Sequence, residues 1–444
     1  MIRATLRPWL AALAGALMLA APAAQAEIDI QQVETPGGLT AWLVEDHSIP
    51  FTALEIRFRG GTALDGADKA GATNLMTALL EEGAGDMDAR AFARARDSLA
   101  ARLRFDASAD AVRVSARFLS ENRDAASALL RKALVRPRFD ADAIERVRGQ
   151  VMSKLRSDAT DPRSMARDAF DAAVFGDHPY AIPGDGTLET VPAITRDDIV
   201  AAHRGALARD RVYIGAAGDI TADELATLLD ELLGDLPETG APLPETADPA
   251  FTGGTRVIDF DTPQSVAVFG QPGVAIDDPD FFAAYIVNRI LGGGSFESRL
   301  MHELREKRGL TYGVGTYLAD RDHAKLWMGS LASSNETMAE AVGLVRAEWA
   351  RLARDGATAQ EVRDAKTYLT GAYPLRFDGN APIARIMVGM QMQGLPIDYV
   401  RTRNDRVRAV TLDEVNRVAA ERLDPGALSF TVVGRPEGLP APAN

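Results

Sequence analysis

Two stretches of this sequence align with each other without gaps: VPAITRDDIVAAHRGALARDRVYIGAAGDI at residues 191–220 and VRAVTLDEVNRVAAERLDPGALSFTVVGRP at residues 407–436. The offset is 216 residues, which places Thr195 opposite Thr411. In each copy a threonine precedes acidic residues and a helix with apolar positions at helical spacing, and a strand that ends in glycine follows. The sequence therefore predicts one fold that occurs twice.

The beginnings of the two halves correspond as well. Residues 53–83 (ALEIRFRGGTALDGADKAGATNLMTALLEEG) and 265–294 (SVAVFGQPGVAIDDPDFFAAYIVNRILGGG) each predict a strand, an aspartate-containing turn and a helix that ends near glycine. The offset here is about 212 residues, so small insertions separate the copies. We expect each copy to form a domain with its own core.

A linker separates the two predicted domains. Residues 236–249 read LPETGAPLPETADP, and such proline-rich, acidic sequence is typical of an exposed connection. We place the N-terminal domain at residues 27–235, the linker at 236–252 and the C-terminal domain at 253–444.

Strand and helix patterns within one half predict an α+β fold. Residues 52–60 (TALEIRFRG) and 111–119 (AVRVSARFL) alternate as half-buried strands do. Residues 88–103, 126–134 and 143–156 have apolar residues every three to four positions, which is typical of helices that cover one face of a sheet. Strand pairs joined by helices favour an α+β layer over a doubly wound parallel sheet.

The N-terminus has the pattern of a secretory signal peptide. Arg3 and Arg7 precede an apolar run, and Ala24-Gln25-Ala26 is a small-residue cleavage pattern. The alternative, a membrane anchor, is disfavoured because the apolar run is shorter than the roughly 20 residues that span a bilayer. We therefore predict that residues 1–26 are removed, that the mature chain has no membrane segment, and that it is periplasmic.

The net charge and the cysteine content indicate which partners the chain can bind and what stabilises its fold. The formal net charge of the whole chain is −14, and removal of two arginines with the signal peptide makes it −16. Nucleic acid is an unexpected partner, because nucleic-acid binding normally requires a basic surface. The chain contains no cysteine, so a large core must stabilise it without disulfides.

Over essentially its whole mature length the sequence resembles the pitrilysin family (M16) of zinc peptidases. The matching segments are residues 60–84, FDADAIERVRGQVMSKL (139–155), FGDHPYAIPGDGT (175–187) and LGGGSFESRLMHELREKRGLTYGVGTY (291–317). The resemblance implies two homologous α/β-roll domains that form half of a clam-shell heterodimer.

The zinc motif of that family is absent. Zinc-bearing members have His-x-x-Glu-His on a helix, so that two histidines four residues apart bind one Zn²⁺ and the glutamate acts as general base. The match places Asn74 and Ala78 at the histidine positions and Thr77 at the base. The window that should contain the third ligand, residues 146–157, has no Asp or Glu, and Lys154 lies near the expected position.

No substitute metal site is visible in the sequence. The histidines include no pair at helical ligand spacing, and His178 is interpreted as a packing or hydrogen-bonding group. The helix that has lost the motif is expected to be kept for packing, with its core residues at Leu75, Met76, Leu79 and Leu80. We predict that this chain binds no cofactor and that zinc resides on a partner subunit.

The second half keeps residues that resemble the family's Arg and Tyr pair, at Arg308 and Tyr312. The resemblance implies that both lie across the cavity from zinc and bind the substrate backbone in trans. A guanidinium and a phenol are donors that can stabilise an oxyanion. The alternative is a surface arginine at a helix end and a tyrosine in the core.

A glycine run precedes that pair. Gly292, Gly293 and Gly294 are expected to end one helix, with Ser295 as the cap of the next. The resemblance implies instead that they form a substrate-binding loop. A nucleotide loop is disfavoured, because the Gly-Lys-Ser/Thr ending is missing.

The leading hypothesis is a co-catalytic, non-zinc-binding subunit of a heteromeric metalloendopeptidase that is inactive alone. Its expected partners are a zinc-bearing M16 paralogue and peptide substrates, and a homodimer is an open alternative for the isolated chain. The competing hypothesis is a non-catalytic peptide-binding or structural protein. A self-sufficient peptidase is disfavoured.

Overall fold

Residues 28–294 and 297–440 are described by the computed structural model of the chain. The predicted signal peptide and the predicted cap at Ser295 lie outside those ranges. Within them, no helix is both long and apolar enough to cross a membrane.

The first half contains a six-stranded mixed sheet with the strand order β1-β2-β8-β3-β7-β6. β2 and β8 are parallel, and the other neighbours are antiparallel. The bounds are β1 (Gln31–Glu34), β2 (Thr40–Glu45), β3 (Phe51–Arg59), β6 (Arg102–Ala107), β7 (Ala111–Leu119) and β8 (Val212–Gly218), and a separate two-stranded ribbon is formed by β4 (Gly83–Ala84) and β5 (Met87–Asp88).

The second half contains a five-stranded sheet with the order β11-β12-β10-β13-β9. Its parallel pair is β13 and β9, and the remaining pairs are antiparallel. The bounds are β9 (Thr255–Asp259), β10 (Gln264–Pro272), β11 (Thr311–Asp320), β12 (Lys325–Ser334) and β13 (Ser429–Gly434).

Helices connect the strands in both halves. Those of the first half are α1 (Ala72–Leu79), α2 (Ala89–Ser98), α3 (Arg123–Val135), α4 (Ala141–Asp158), α5 (Pro162–Phe175), α6 (Thr190–Ala193), α7 (Arg196–Ala206) and α8 (Ala222–Leu233). Those of the second half are α9 (Phe281–Leu291), a π-helical turn at Met301–Glu306, α10 (Met338–Asp355), α11 (Ala359–Ala372), α12 (Asn380–Met392), α13 (Tyr399–Ala409) and α14 (Leu412–Arg422).

The duplication is confirmed by the matching topology of the two sheets. Apart from the extra edge strand β1, the order β2-β8-β3-β7-β6 of the first sheet repeats as β9-β13-β10-β12-β11 in the second. Thr195 and Thr411 each form a capping box, at the starts of α7 and α14. The matched strands β8 and β13 end at Gly218 and Gly434, whose φ angles of 124° and 146° favour glycine. The predicted α+β fold is therefore correct.

One predicted helix is too long. The apolar spacing of residues 88–103 predicted a helix throughout, but α2 ends at Ser98 and β6 begins at Arg102. Ala100 has a φ of 49°, a left-handed conformation that ends the helix and turns the chain into the strand.

Each half has its own apolar core on one face of its sheet. The first core joins β3, β7 and β8 to α1, α3, α4, α7 and α8, with Phe58, Leu75 and Leu229 fully buried. The second joins β10 and β13 to α9, α10, α11 and α14, with Phe269 and Trp349 fully buried. Helices thus cover one face of each sheet, as the sequence predicted.

The opposite face of each sheet is covered by a helix from the other half. α5 of the first half packs against β10 and β13, where Ala166 meets Val266 and Val433. α12 of the second half packs against β2, β3 and β8, where Met387 meets Trp42. α5 and α12 stand at matching places in the repeat, so the two halves exchange equivalent helices. The sequence analysis did not predict this exchange.

Residues 236–252 contain neither helix nor strand. Their backbone is nevertheless hydrogen-bonded to both halves: Pro237 accepts from Arg209 N (2.9 Å), and Ala247 N donates to His323 O (2.8 Å). The exact domain boundaries remain a prediction.

The exchanged helix α12 comes very close to β8, and this contact provides a test of the packing. A Cβ atom on Gly215 would lie 2.6 Å from Ala384 O and 3.0 Å from Val388 Cγ2. We expect Gly215→Ala to lower the free energy of unfolding by about 1–3 kcal/mol, because the helix must move away from the strand. Urea unfolding measures this change.

Gly389→Ala is the matched control, since Gly389 lies on α12 and a Cβ there would meet nothing within 4 Å. It should leave stability unchanged or raise it by up to about 1 kcal/mol, because alanine favours helix over glycine. Equal effects of the two substitutions would contradict the described packing.

Candidate functional site

The helix α1, to which the resemblance assigns the position of the zinc motif, is held at its start by an aspartate. Asp65 Oδ2 accepts from the backbone N–H groups of Gly71 and Thr73, both at 3.1 Å, and its Oδ1 accepts from Thr73 Oγ1 at 2.6 Å. Burial raises the pKa of Asp65 to about 6, against the opposing effect of the hydrogen bonds from Thr73. The aspartate-containing turn that the sequence predicted therefore anchors α1.

None of the three motif positions on α1 offers a zinc ligand. Thr77 is buried, and its hydroxyl donates to Thr73 O at 2.7 Å. Ala78 is exposed and has no donor atom, and Asn74 is partly exposed. The opposite side of the helix is core, with Leu75, Met76, Leu79 and Leu80 at most 1% exposed.

Lys154, at the position expected for the third ligand, is engaged with two carboxylates. Its Nζ lies 2.6 Å from Asp158 Oδ2 on the same helix and 2.6 Å from Asp185 Oδ2 on the loop after α5. Burial lowers the pKa of Lys154, but the hydrogen bonds to the two aspartates outweigh it and leave the pKa raised. The ammonium group therefore stays charged and repels a metal cation.

A loop brings α1 and Lys154 into one neighbourhood. A Cβ on Gly71 would lie 2.8 Å from Asp185 O, so the loop that binds Lys154 also packs on the start of α1. A cleft of about 440 Å³ opens beside it, lined by Lys154, Asp158, Asp185 and other residues of α4, α5 and this loop. Of the four positions that the resemblance assigns to the metal site, only Lys154 lines this cleft.

The residues present do not fit a zinc ion. Over residues 28–294 and 297–440, no group of three or more His, Cys, Asp or Glu side chains is placed to hold a metal. The resemblance assigns the metal site to Asn74, Thr77, Ala78 and Lys154. Their side chains are an amide, a hydroxyl that is already hydrogen-bonded, a methyl group and an ammonium ion, and none of these is a zinc ligand.

His178 uses both ring nitrogens within the chain. Its Nδ1 accepts from the backbone N–H of Tyr180 at 3.1 Å, and its Nε2 lies 3.0 Å from Glu245 O. This agrees with its interpretation as a hydrogen-bonding group. It ties the loop after α5 to the linker.

The glycine run ends α9, as predicted. Gly292 N donates to Asn288 O at 3.0 Å, and Gly292 O accepts from Thr316 N on β11 at 2.9 Å. Gly292 is buried and Gly294 is exposed, so the run leaves the core within three residues. Its role as a substrate-binding loop remains a prediction.

Arg308 follows the π-helical turn and is bound by Glu303. Its Nη1 donates to Glu303 Oε2 at 2.7 Å and to Glu303 O at 2.9 Å. Glu303 also accepts from Lys307 Nζ at 2.6 Å. The hydrogen bonds from Lys307 and then from Arg308 lower the pKa of Glu303 to about 2.

Tyr312 stands in solvent at the start of β11, an edge strand of the second sheet. It is 90% exposed, whereas the alternative interpretation placed it in the core. The pairing of β11 with β12 is irregular between Thr311 and Val314, which marks a bulge at this tyrosine. The guanidinium of Arg305 lies 5.1 Å from the ring centroid, within cation–π distance.

Arg308 and Tyr312 thus lie four residues apart between the π-helical turn and the start of β11, whereas the positions matched to the zinc motif lie on helices of the first half. Among the described residues, no hydrogen bond or ion pair joins Arg308 or Tyr312 to the positions matched to the zinc motif. Sequence analysis missed Glu303. Glu303 and Lys307 are four residues apart, as in an ordinary helical ion pair. Glu303 and Arg308 are five residues apart, and their contact depends on the π-helical turn.

Comparisons with known proteins agree on one family. The family model described as Peptidase M16 inactive domain matches residues 193–369. A non-peptidase homolog (YmxG) of Helicobacter pylori is 28% identical over 393 residues, covering 88% of this chain and 90% of that protein. An uncharacterized zinc protease of Mycobacterium leprae is 28% identical over 405 residues, covering 88% of each.

The crystal structure of a peptidase M16 inactive domain from Pseudomonas fluorescens superposes with a TM-score of 0.86 at 29% identity. The match covers 94% of this chain and all of that one. Over almost its whole length the chain is thus similar to proteins of the M16 peptidase family, including a non-peptidase homolog and an inactive domain, and it lacks the His-x-x-Glu-His zinc motif.

Proposed function

We propose that this chain is the co-catalytic, non-zinc-binding subunit of a heteromeric M16-type metallopeptidase. It encloses a peptide together with a zinc-bearing relative and presents Arg308 and Tyr312 to the partner's active site. The observation that carries the proposal is the exposure of Tyr312: this aromatic side chain is 90% exposed, contacts Arg305 and follows by four residues an arginine that is held by Glu303.

The chemistry of the pair suits such a role. A guanidinium presents fixed N–H donors and a phenol presents one O–H donor, and both can stabilise the negative charge that develops on a scissile carbonyl oxygen. The partner supplies the zinc and its general base. This chain's residues bind the peptide and orient its carbonyl group.

An independent peptidase activity is disfavoured by the same geometry. Thr77 cannot act as general base, because its hydroxyl has no acidic or basic function at neutral pH and is bonded to Thr73 O. Lys154 is held as a cation by Asp158 and Asp185. The first half therefore contributes a wall of the cavity and no reacting group.

A second candidate function is a non-catalytic peptide-binding or structural protein. It is favoured by the H. pylori relative, whose name calls it a non-peptidase homolog. The two candidates share the fold and differ only in whether Arg308 and Tyr312 act on a reaction. The periplasmic location, which rests on the signal sequence, belongs to both proposals.

The first test concerns metal content. After incubation with zinc and dialysis, the purified mature chain should hold far less than one zinc per chain, because its inherited positions lack ligands. The variant Asn74→His/Ala78→His restores two imidazoles four residues apart, on the side of α1 that is not core, and should retain more zinc. Elemental analysis by mass spectrometry measures both.

One tightly bound zinc per wild-type chain would refute the assignment of these positions. The double variant also tests the helical conformation of residues 74–78, since the two histidines can share one zinc ion only if they lie one helical turn apart.

The second test concerns the pair. In a complex with the zinc-bearing relative from the same genome, Arg308→Ala should lower peptide turnover by about 10²- to 10³-fold, as expected for the loss of one oxyanion donor. Tyr312→Phe removes only the hydroxyl group and should cause a smaller loss. Turnover of a quenched fluorescent peptide measures both effects.

Arg354→Ala and Tyr317→Phe are matched controls. Arg354 is an exposed arginine paired with Asp355 on α10, and Tyr317 is a second exposed tyrosine on β11. Both should leave turnover unchanged. If Arg308→Ala and Tyr312→Phe also assemble and turn over like the wild type, the chain is a binding or structural protein.

A further inference from the structure

Glu303 is a carboxylate that binds Arg308, the arginine of the pair. Its side chain is only 11% exposed, and both of its oxygens are occupied. Oε1 accepts from Lys307 Nζ at 2.6 Å, and Oε2 accepts from Arg308 Nη1 at 2.7 Å. The backbone carbonyl of Glu303 accepts from the same Nη1 at 2.9 Å.

The widened turn creates this arrangement. In a regular α-helix a side chain meets those three and four residues away, and one five residues away lies on a different face. Here Lys307 N donates to His302 O, five residues back, at 3.0 Å, and Leu310 N donates to Leu304 O, six residues back, at 2.8 Å. The extra residue in the turn brings Arg308 onto the side of Glu303.

The contacts fix one end of the guanidinium and leave the other end available. Nη1 is bonded twice to Glu303, whereas the only further contact recorded among the described residues joins Nε to Glu340 at 3.9 Å. Glu340 is 56% exposed, so that this long pair contributes little. Nη2 makes no hydrogen bond or ion pair within the described residues, and its position is set by the two bonds that Nη1 makes to Glu303.

We propose that Glu303 is a positioning residue, which holds Arg308 so that its free N–H groups meet the substrate carbonyl. The proposal rests on the proposed function, because Arg308 must act on a peptide for its orientation to matter. Glu303 touches no substrate and acts only through Arg308. Arg305 lies over the ring of Tyr312, and this contact orients the tyrosine of the pair as Glu303 orients the arginine.

The low pKa of Glu303 supports a positioning role that does not change with pH. At about 2 it lies far below neutral pH, so the carboxylate stays ionised wherever the protein is folded and active. The stabilisation that this shift provides is present above the ordinary glutamate pKa and is lost only as the pH falls towards about 2. Arg308 is thus held equally at every working pH.

The ion pairs lie at the surface end of the turn, which makes the proposal testable. Lys307 and Arg308 are 50% and 36% exposed, so that water can solvate both cations when Glu303 is replaced. Substitution of Glu303 is therefore expected to leave folding and assembly intact. Circular dichroism and size-exclusion chromatography of the complex verify this for each variant.

The test is a double-mutant cycle in the complex with the zinc-bearing relative. Glu303→Ala should lower kcat roughly 10- to 100-fold with little change in KM, because a donor displaced by an ångström loses much of its effect. Glu303→Gln keeps an oxygen that accepts from Nη1 and should restore part of the loss. The variant Glu303→Ala/Arg308→Ala should be no slower than Arg308→Ala alone, since Glu303 has no other route of action.

Glu306→Gln is the matched control on the same turn. Glu306 is a carboxylate that pairs with His302 at 2.8 Å and makes no recorded contact with Arg308. It should retain wild-type kcat and KM. A loss equal to that of Glu303→Gln would show a general effect of charge and would overturn the proposal.

The outcomes distinguish a failure of the positioning role from a failure of the proposed function. If Arg308→Ala slows turnover but Glu303→Ala does not, or if the two losses multiply in the double variant, the positioning role is wrong and the proposed function stands. If the complex is inactive, or Arg308→Ala is as fast as wild type, the proposed function fails and the positioning role fails with it.

Discussion

The central strands of both sheets are buried on both faces, and this double burial is the constraint on which the rest of the molecule depends. β8 is buried without interruption from Ile214 to its end, and β13 from Phe430 to its end. Such strands need a cover on each side. Helices of the same half supply one cover, and the exchange of α5 and α12 supplies the other. The exchange fixes how the two halves sit together.

That constraint also explains why a helix without its zinc motif has been kept. α1 fills the first core with Leu75, Met76 and Leu79, and the core needs this apolar surface whatever the other side of the helix carries. Asn74 and Ala78 lie outside this core, so the side chains at these two positions can vary without affecting the packing. Retention of the fold therefore does not require metal ligands on this helix.

Sequence reasoning succeeded where the physics is local. The threonine caps of α7 and α14, the glycine end of α9 and the alternation in β7 are decided by neighbouring residues, and they were predicted correctly. The half-buried alternation predicted for β3 was wrong: residues 52–56 are all buried, because α12 covers the second face of this strand. The exchange of helices was missed because apolar periodicity shows that a helix is amphipathic, not which sheet it covers. At the candidate site, Arg308 and Tyr312 were identified by resemblance, but Glu303 was not, because a π-helical turn leaves no mark on a 3.6-residue period.

The central claim is that this chain works beside a zinc-bearing relative. The most direct measurement is native mass spectrometry of the mature chain, purified from its own cells through a C-terminal tag without dissociation. The account predicts a one-to-one complex whose second chain contains His-x-x-Glu-His and holds one zinc. A homodimer or a monomer, with no zinc-bearing chain attached under conditions that preserve other weak complexes, would contradict it.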